Sequence, residues 1–482
     1  MKTFLAFALF VLMMAPSPVT ATDGDLDLTF GTGGKVTTDF DDAIALSLQP
    51  DGKMIVAGHL GGVEGRPLGL ARYNIDGSLD TTFASEGKLT TDFAGGWRTA
   101  VALQSDGKIV VVGNFSSLLT NFALARYNSD GSVDSTFGTA GRVATQFQLA
   151  LALALQSDGK IVMAGSDSGN RPLLVRYNGD GALDQGFGAG GTVTLGFTGQ
   201  ALAVQSDGKI IVAGFVWISP SYTDFALARY NGDGSLDVTF GTGEVITAFY
   251  PNYDYRSPGA AYAVAVQSDG KIVAAGGDLF DESGLRLARY KSDGLLDTSF
   301  GIDGKVTTGV DAISLAIQSD EKILIGSFPF GDAAIIRYSN AGSLDGTFGT
   351  GGYVSGDGAI ALALQSDGKI VSVARSSLVR YNSAHPVMRF EPVKVSLGGS
   401  FTATFSGTNM NGQTYFDVRY RLPGDDSDQV ALNWQYGLAA EHSVAADTVV
   451  GTWEVTGVRP HQSASEHTAD FIPVSTAVRV AP

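Results

Sequence analysis

Thr99-Ala100-Val101-Ala102-Leu103-Gln104, the turn Ser105-Asp106-Gly107, then Lys108-Ile109-Val110-Val111-Val112-Gly113 form the first half of one unit of this chain. Phe122-Ala123-Leu124-Ala125-Arg126-Tyr127-Asn128, a second turn, and Gly141-Arg142-Val143-Ala144-Thr145-Gln146-Phe147 form the second half. These are four segments of strand length, rich in β-branched and aromatic residues, and the Asp-Gly pair supplies the positive φ that a tight hairpin needs. The unit therefore predicts four antiparallel strands.

The unit recurs. Gln-x-Asp-Gly-Lys begins at Gln49, Gln104, Gln156, Gln205, Gln267 and Gln365, with Gln318-Ser319-Asp320-Glu321-Lys322 as a degenerate seventh copy. Arg-Tyr follows each one, ending at Tyr73, Tyr127, Tyr177, Tyr230, Tyr290, Tyr338 and Tyr381. Leu/Val-Asp-x-x-Phe ends at Phe30, Phe83, Phe137, Phe187, Phe240, Phe300 and Phe348. A lone four-stranded sheet leaves an apolar face bare and must stack on neighbours, so seven copies predict a β-propeller, with an open solenoid as the competing arrangement. The order of the anchors favours closure. Leu-Asp-x-x-Phe precedes the first Gln motif and is missing after the last Arg-Tyr, so Gly34 to Phe40 is an orphan fourth strand that would complete the seventh blade and remove two sheet edges.

The combined pattern, Ala-Leu-Gln-Ser-Asp-Gly-Lys-Ile followed by Ala-Arg-Tyr-Asn-x-Asp-Gly-Ser-Leu-Asp-x-x-Phe-Gly-x-x-Gly, resembles the delta-60 repeat, a bacterial β-propeller family similar in style to NHL repeats. The resemblance covers roughly residues 24–382. It implies a propeller on secreted or cell-surface proteins and brings no agreed enzymatic activity. Two copies depart from it: Glu321 stands in place of Gly, and Ala374 stands where the other second strands close on Gly.

Composition agrees with this reading. Glycine is 63 of 482 residues and charged residues are 17% against a usual ~25%, while 44% are hydrophobic, which fits many short strands joined by tight turns. The chain has no cysteine, which excludes disulfides, thiolate nucleophiles and cysteine-ligated zinc. A net charge of −17 argues against binding nucleic acid or an anionic membrane. At the N-terminus, Lys2 precedes an apolar run from Phe4 to Met14, and Val19 and Ala21 supply small residues before a cleavage point, so residues 1–21 read as a secretory signal peptide. Eleven residues rise only about 16 Å as a helix, half of a ~30 Å hydrocarbon core. No later run approaches transmembrane length, so the expected location is extracellular, periplasmic or at the cell surface, without membrane insertion.

Candidate chemistry is sparse. Two residues before each Gln stand Ser47, Ala102, Ala154, Ala203, Ala265, Ala316 and Ala363, in the strands expected to line a central channel. No carboxylate, histidine or arginine occupies these inner positions, so the expectation is no enzyme, no catalytic residue, no metal and no cofactor. The recurring arginines (Arg72, Arg126, Arg176, Arg229, Arg289, Arg337 and Arg380) are expected to pair with an Asp of the following turn within each blade. The turn Asn128-x-Asp130-Gly131-Ser132-x-Asp134 faintly suggests a calcium loop, but turn chemistry alone accounts for these residues.

In a four-stranded meander the repeated turns fall on one face and all length variation on the other. The two longest excursions are neighbours, Val216 to Asp224 and Tyr250 to Arg256. Trp217, Tyr222, Tyr250, Tyr253, Asp254, Tyr255 and Arg256 have the composition of a protein or glycan contact surface, or of a loop pair that packs on itself to plug the ring. The domain reading is 1–21 signal peptide, 22–383 seven-bladed propeller and 388–482 an immunoglobulin-like β-sandwich, the last suggested by alternating stretches at Ser400, Tyr415 and Thr452. His442, His461 and His467 lie near acidic residues there, at spacings that match no metal pattern.

Overall fold

The computed structural model describes residues 23–60, 67–94, 99–115, 122–145, 147–219, 222–249, 259–277, 284–307, 312–327, 333–356 and 358–383, together with backbone strands between 387 and 481. All regular structure among these residues is β. Blade one comprises strands Phe40–Leu48, Met54–Leu60, Pro67–Tyr73 and Lys88–Ala94, and blade two Ala100–Leu103, Ile109–Phe115, Phe122–Tyr127 and Arg142–Ala144. Five further four-stranded sheets follow, blades three to seven, beginning at Leu149, Thr198, Ala260, Ala312 and Ala361. Each is an antiparallel meander. In the sheet of Ala361–Leu364, Ile370–Ala374 and Ser377–Tyr381, the fourth strand is Lys35–Thr37, with Lys35 opposite Val379 and Thr37 opposite Ser377.

Strand periodicity divides each blade between its two neighbours. In blade two Ile109 and Val111 pack with Ile55, Leu68 and Phe83 of blade one, whereas Val110 and Val112 pack with Ile161, Met163 and Tyr177 of blade three. The core is thus a series of apolar layers between blades. Val371, Val373 and Leu378 of blade seven make such a layer with Met54, Val56 and Tyr73 of blade one. Second and third strands are buried on both faces, which is why they read as unbroken apolar runs. Fourth strands are often only three residues long and partly exposed, a form of edge that resists pairing with other chains.

The Gly that ends most second strands has a specific cause. In five inner strands the pairing register jumps by one residue, between Ala43 and Ala45, Ala150 and Ala152, Gly199 and Ala201, Ala261 and Ala263, and Ala312 and Ser314. Each is a β-bulge, and the kinked backbone presses on the strand opposite. A Cβ on Gly276 would lie inside contact distance of the Ala260 carbonyl oxygen, and one on Gly214 would strike the Thr198 carbonyl. Blade seven carries Ala374 at this place, and its inner-strand ladder, Ala361 to Leu364 opposite Val373 to Ile370, ends before reaching it.

Residues 387–481 contain a three-stranded sheet, Val387–Glu391, Ser400–Ser406 and Ala440–Ser443. They also contain a five-stranded sheet of Lys394–Ser396, Ile472–Ala481, Gly451–His461, Tyr415–Arg421 and Gln429–Gln435.

Candidate functional site

The two faces of the propeller use their polar residues differently. On the face of repeated turns, each recurring Arg donates Nε to the Asp of the Leu-Asp-x-x-Phe motif: Arg72 to Asp80 and Arg126 to Asp134 at 2.7 Å, Arg176 to Asp184 and Arg229 to Asp237 at 2.8 Å. Arg289 bonds Asp297 at 2.9 Å and Arg337 bonds Asp345 at 2.8 Å. Both partners are nearly excluded from solvent, and each guanidinium also lies over the Phe of the same motif, 4.4 Å from the centroid for Arg176 and Phe187. The same carboxylate receives the Lys of the Asp-Gly-Lys turn, Lys53 to Asp80 at 2.7 Å and Lys209 to Asp237 at 2.8 Å. Its other oxygen accepts the hydroxyl two residues on, as Thr136 to Asp134 at 2.6 Å.

The expected intrablade pairing is present, yet it is only half of the arginine's work. Arg229 Nη1 donates to the Ser292 carbonyl of the next blade at 2.6 Å, and Arg126, Arg176 and Arg289 reach Gly179, Gly232 and Asn340 in the same way. The motif glutamine adds a second link, Gln104 Nε2 to the Gly159 carbonyl at 3.1 Å and Gln156 to Gly208 at 3.0 Å. A main-chain bond completes the set, from Gly138 to Asp180 and from Gly188 to Asp233 at 2.7 Å, and from Gly349 to Asp23 at 2.8 Å. The three anchors recur because they join neighbours. Sequence reading missed this, since a repeat seen in one dimension does not show which copy a side chain reaches.

In the turn led by Asn128, Asp130 Oδ1 accepts from both the main chain and hydroxyl of Ser132, and Asn128 Nδ2 donates to Ser132 Oγ at 2.9 Å. Of the oxygens that suggested a calcium loop, Asp130 Oδ1 and Ser132 Oγ are engaged in the turn itself, and Asp134 with Arg126 and Lys108. Among the described residues no group of three or more His, Asp or Glu is close enough to hold a metal ion. The histidines of residues 385–467 have side chains outside the described residues.

The carboxylates respond to this environment. Burial pushes Asp27 up, but hydrogen bonds from Lys369 and Thr29 and the charge of Arg380 prevail and hold it at about 2. Asp345 sits at about 2 by the same balance, with burial opposed by Thr347, Arg337 and Lys322. Asp80, Asp134 and Asp237 lie lower still, burial again being outweighed by the Lys and Thr bonds.

On the opposite face, the hairpin of blade four is the longest, Ile210–Ser219 and Tyr222–Tyr230. Its neighbours in the sheet stop short: the inner strand begins at Thr198 opposite Phe215, and the fourth strand ends at Thr247 opposite Phe225. Val216 to Ser219 therefore project as a two-stranded tip with a register break at Ile218. Trp217 is 59% exposed, its ring edge-on to Phe215 with centroids 5.9 Å apart, and Ile218 is also exposed. The base of the tip is packed. Thr223 is buried and exchanges two bonds with Gly259, while Phe249 packs edge-on to Phe225 at 4.8 Å and lies 5.9 Å from the buried Arg286. The first excursion thus combines a packed base with an exposed Trp217, and the second, Tyr250 to Arg256, lies outside the described residues. Of the other candidate residues, Tyr222 lies in the strand with its side chain outside the described residues, as do Tyr250, Tyr253, Asp254, Tyr255 and Arg256 entirely.

Two shallow rim grooves lie between blades. One is lined by Thr136, Arg142 and Asp180, the other by Phe249, Ile302, Asp303 and Lys305. Each has a single carboxylate.

Five of the repeats, residues 49–83, 104–137, 156–187, 205–240 and 267–300, match the family described as a domain of unknown function (DUF5122) beta-propeller. The repeats are those of a β-propeller repeat family. None of the curated proteins matches the sequence. Solved structures similar to the chain include the extracellular domain of BT4673 from B. thetaiotaomicron, at 9% identity and a TM-score of 0.41, covering 97% of this chain and 59% of that one. The WD40 domain of Toxoplasma gondii coronin is 10% identical with a TM-score of 0.42, covering 75% and 83%. The full extracellular region of plexin A4 is 9% identical with a TM-score of 0.40, covering 92% and 53%. This chain spans about three fifths of the BT4673 domain's length.

Proposed function

We propose that this protein is a secreted or cell-surface binding module that recognises a protein or glycan through the face carrying the long loops. The repeats would be of the delta-60 type, with the propeller closed by the N-terminal strand, preceded by a cleaved signal peptide and followed by an immunoglobulin-like sandwich. The observation that carries the reading is Trp217. It stands exposed on a projecting tip whose base is pinned by Thr223 and Gly259. A rigid, amphipathic aromatic held clear of the body presents contact area at little entropic cost, and such residues dominate binding energy at interfaces and stack on sugar rings. On the turn face, by contrast, the carboxylates and guanidiniums bond one another within each blade.

An extracellular polysaccharide hydrolase or lyase on the same scaffold is the alternative. Glycoside hydrolysis ordinarily requires two carboxyl groups facing one substrate, and among the described residues each of these two rim grooves contributes one. The test is binding of the protein lacking residues 1–21, and of its Trp217→Ala variant, to arrays of polysaccharides and extracellular proteins, with product analysis of each polysaccharide. Binding lost in the variant without turnover supports the module; turnover supports the alternative.

A further inference from the structure

The turns between third and fourth strands open on Asn in blades one to four, whereas blades five and six have Lys291 and Ser339 there. In blades one, two and four, the leading Asn has its side-chain nitrogen tied to the Ser four residues on: Asn74 to Ser78 at 2.9 Å, Asn128 to Ser132 at 2.9 Å and Asn231 to Ser235 at 3.0 Å. In blade three the leading residue is Asn178 and that position is Ala182, so the hydroxyl partner is missing. The residue after the Asn is Ile75 or Ser129 in blades one and two, but Gly179 in blade three and Gly232 in blade four. Neither glycine is required by the fold. Neither adopts a positive φ, and a Cβ would meet nothing nearer than 3.5 Å at Gly179 and nothing within 4 Å at Gly232.

An Asn followed by Gly is the dipeptide most open to succinimide formation, because no side chain hinders the attacking amide nitrogen. Asn178 leads directly out of the strand Pro172–Tyr177, is half-buried rather than sealed from water, and its carbonyl holds the turn by accepting the Gly181 N–H at 2.9 Å. Asn231 is the internal control. It has the same Gly but keeps the serine hydroxyl that restrains its amide.

We infer that Asn178 is a self-modifying site, converting to aspartate and isoaspartate ahead of Asn231. The Gly179 nitrogen attacks the Asn178 side-chain carbonyl carbon; the new C–N bond forms as the amide C–N bond breaks, and ammonia leaves with the proton that Gly179 gives up. Water then opens the ring: attack at the side-chain carbonyl frees the side-chain carboxylate and gives aspartate, whereas attack at the main-chain carbonyl leaves Gly179 linked through the side chain and gives isoaspartate. Isoaspartate adds one carbon to the main chain immediately before Gly179, whose carbonyl accepts from Arg126 of blade two. Modification therefore loosens the join between blades two and three.

The experiment is ageing of the folded protein in mildly alkaline heavy-oxygen water, followed by peptide mass mapping. Deamidation at Asn178 should exceed that at Asn231 about fivefold, the factor carried by one net hydrogen bond. Ala182→Ser should bring Asn178 down to the Asn231 rate, and Ser235→Ala should raise Asn231. Gly179→Ser, which copies blade two at Ser129, should abolish the reaction and keep the thermal midpoint of the aged protein constant while that of the native sequence falls. Equal rates at the two sites, or rates unmoved by the reciprocal exchange in folded variants, overturn the inference. Because Ser235→Ala and Ala182→Ser test opposite directions in separate blades, a folding failure in one leaves the other decisive.

Discussion

Arg380 and Asp27 stand 353 positions apart in the chain, and Arg380 Nε donates to Asp27 Oδ2 at 2.7 Å with both side chains almost wholly buried. Every other blade makes this bond between residues eight apart. Gly24 and Asn382 bond at 2.9 Å beside it, so the last turn of the repeat is assembled from segments before the first and after the last repeat motif.

Asp27→Asn should destabilise the protein by about 3–5 kcal/mol, because it strands the Arg380 charge in a buried site. Asp134→Asn breaks the equivalent pair within one blade and should cost a similar amount. The two differ in what opens: amide exchange of residues 26–37 should accelerate in Asp27→Asn alone, since that segment reaches its blade from the far end of the chain.

Gly276→Ala should cost about 1–3 kcal/mol, the price of forcing the bulge away from an added methyl. Ala374→Gly should cost only about 0.5–1 kcal/mol, from backbone entropy at a position beyond the end of the inner-strand ladder. Urea denaturation of both variants checks the contrast; equal effects would remove the bulge as the cause of the recurring glycine.

Glu321 holds a left-handed conformation, φ 64°, at the position other copies give to Gly, and its carboxylate accepts from Gln267 Nε2 at 3.0 Å. Glu321→Gly relieves about 1 kcal/mol of strain and loses a charge-assisted bond of similar worth, so stability should change by less than about 1 kcal/mol. Glu321→Ala keeps the strain and loses the bond, and should be the less stable of the two.

Acid should unfold the protein over a defined range. Asp27 and Asp345 sit at about 2 in the folded state against an ordinary value of 3.8. A depressed carboxylate stabilises the fold fully above its unfolded value and loses that contribution as pH falls through the folded one. Denaturant midpoints should therefore be level above about pH 5 and fall between roughly pH 4 and pH 2.

Much of this architecture is legible in the sequence because each anchor is a local signal repeated seven times. Gln-x-Asp-Gly-Lys is a hairpin turn, and Leu-Asp-x-x-Phe gives the arginine a carboxylate at fixed spacing. What is not legible is the partner across the blades, such as Gly179 for Arg126, because it lies a whole repeat away and is a main-chain oxygen with no residue signature. The bulge was hidden for the same reason: Gly276 marks it, but the carbonyl that demands Gly belongs to Ala260 on the paired strand. At the candidate site, Trp217 was found from composition and loop length, whereas its fixed base depends on Thr223 meeting Gly259, which no pattern announces.

The most direct test of the binding-face account is hydrogen exchange of the protein with and without the polysaccharide or protein that gives the strongest array signal. Protection of residues 215–224, absent in Trp217→Ala, is the predicted result. Protection confined to the opposite turns, such as residues 128–134 and 156–160, with the Trp217 tip unchanged, would contradict it.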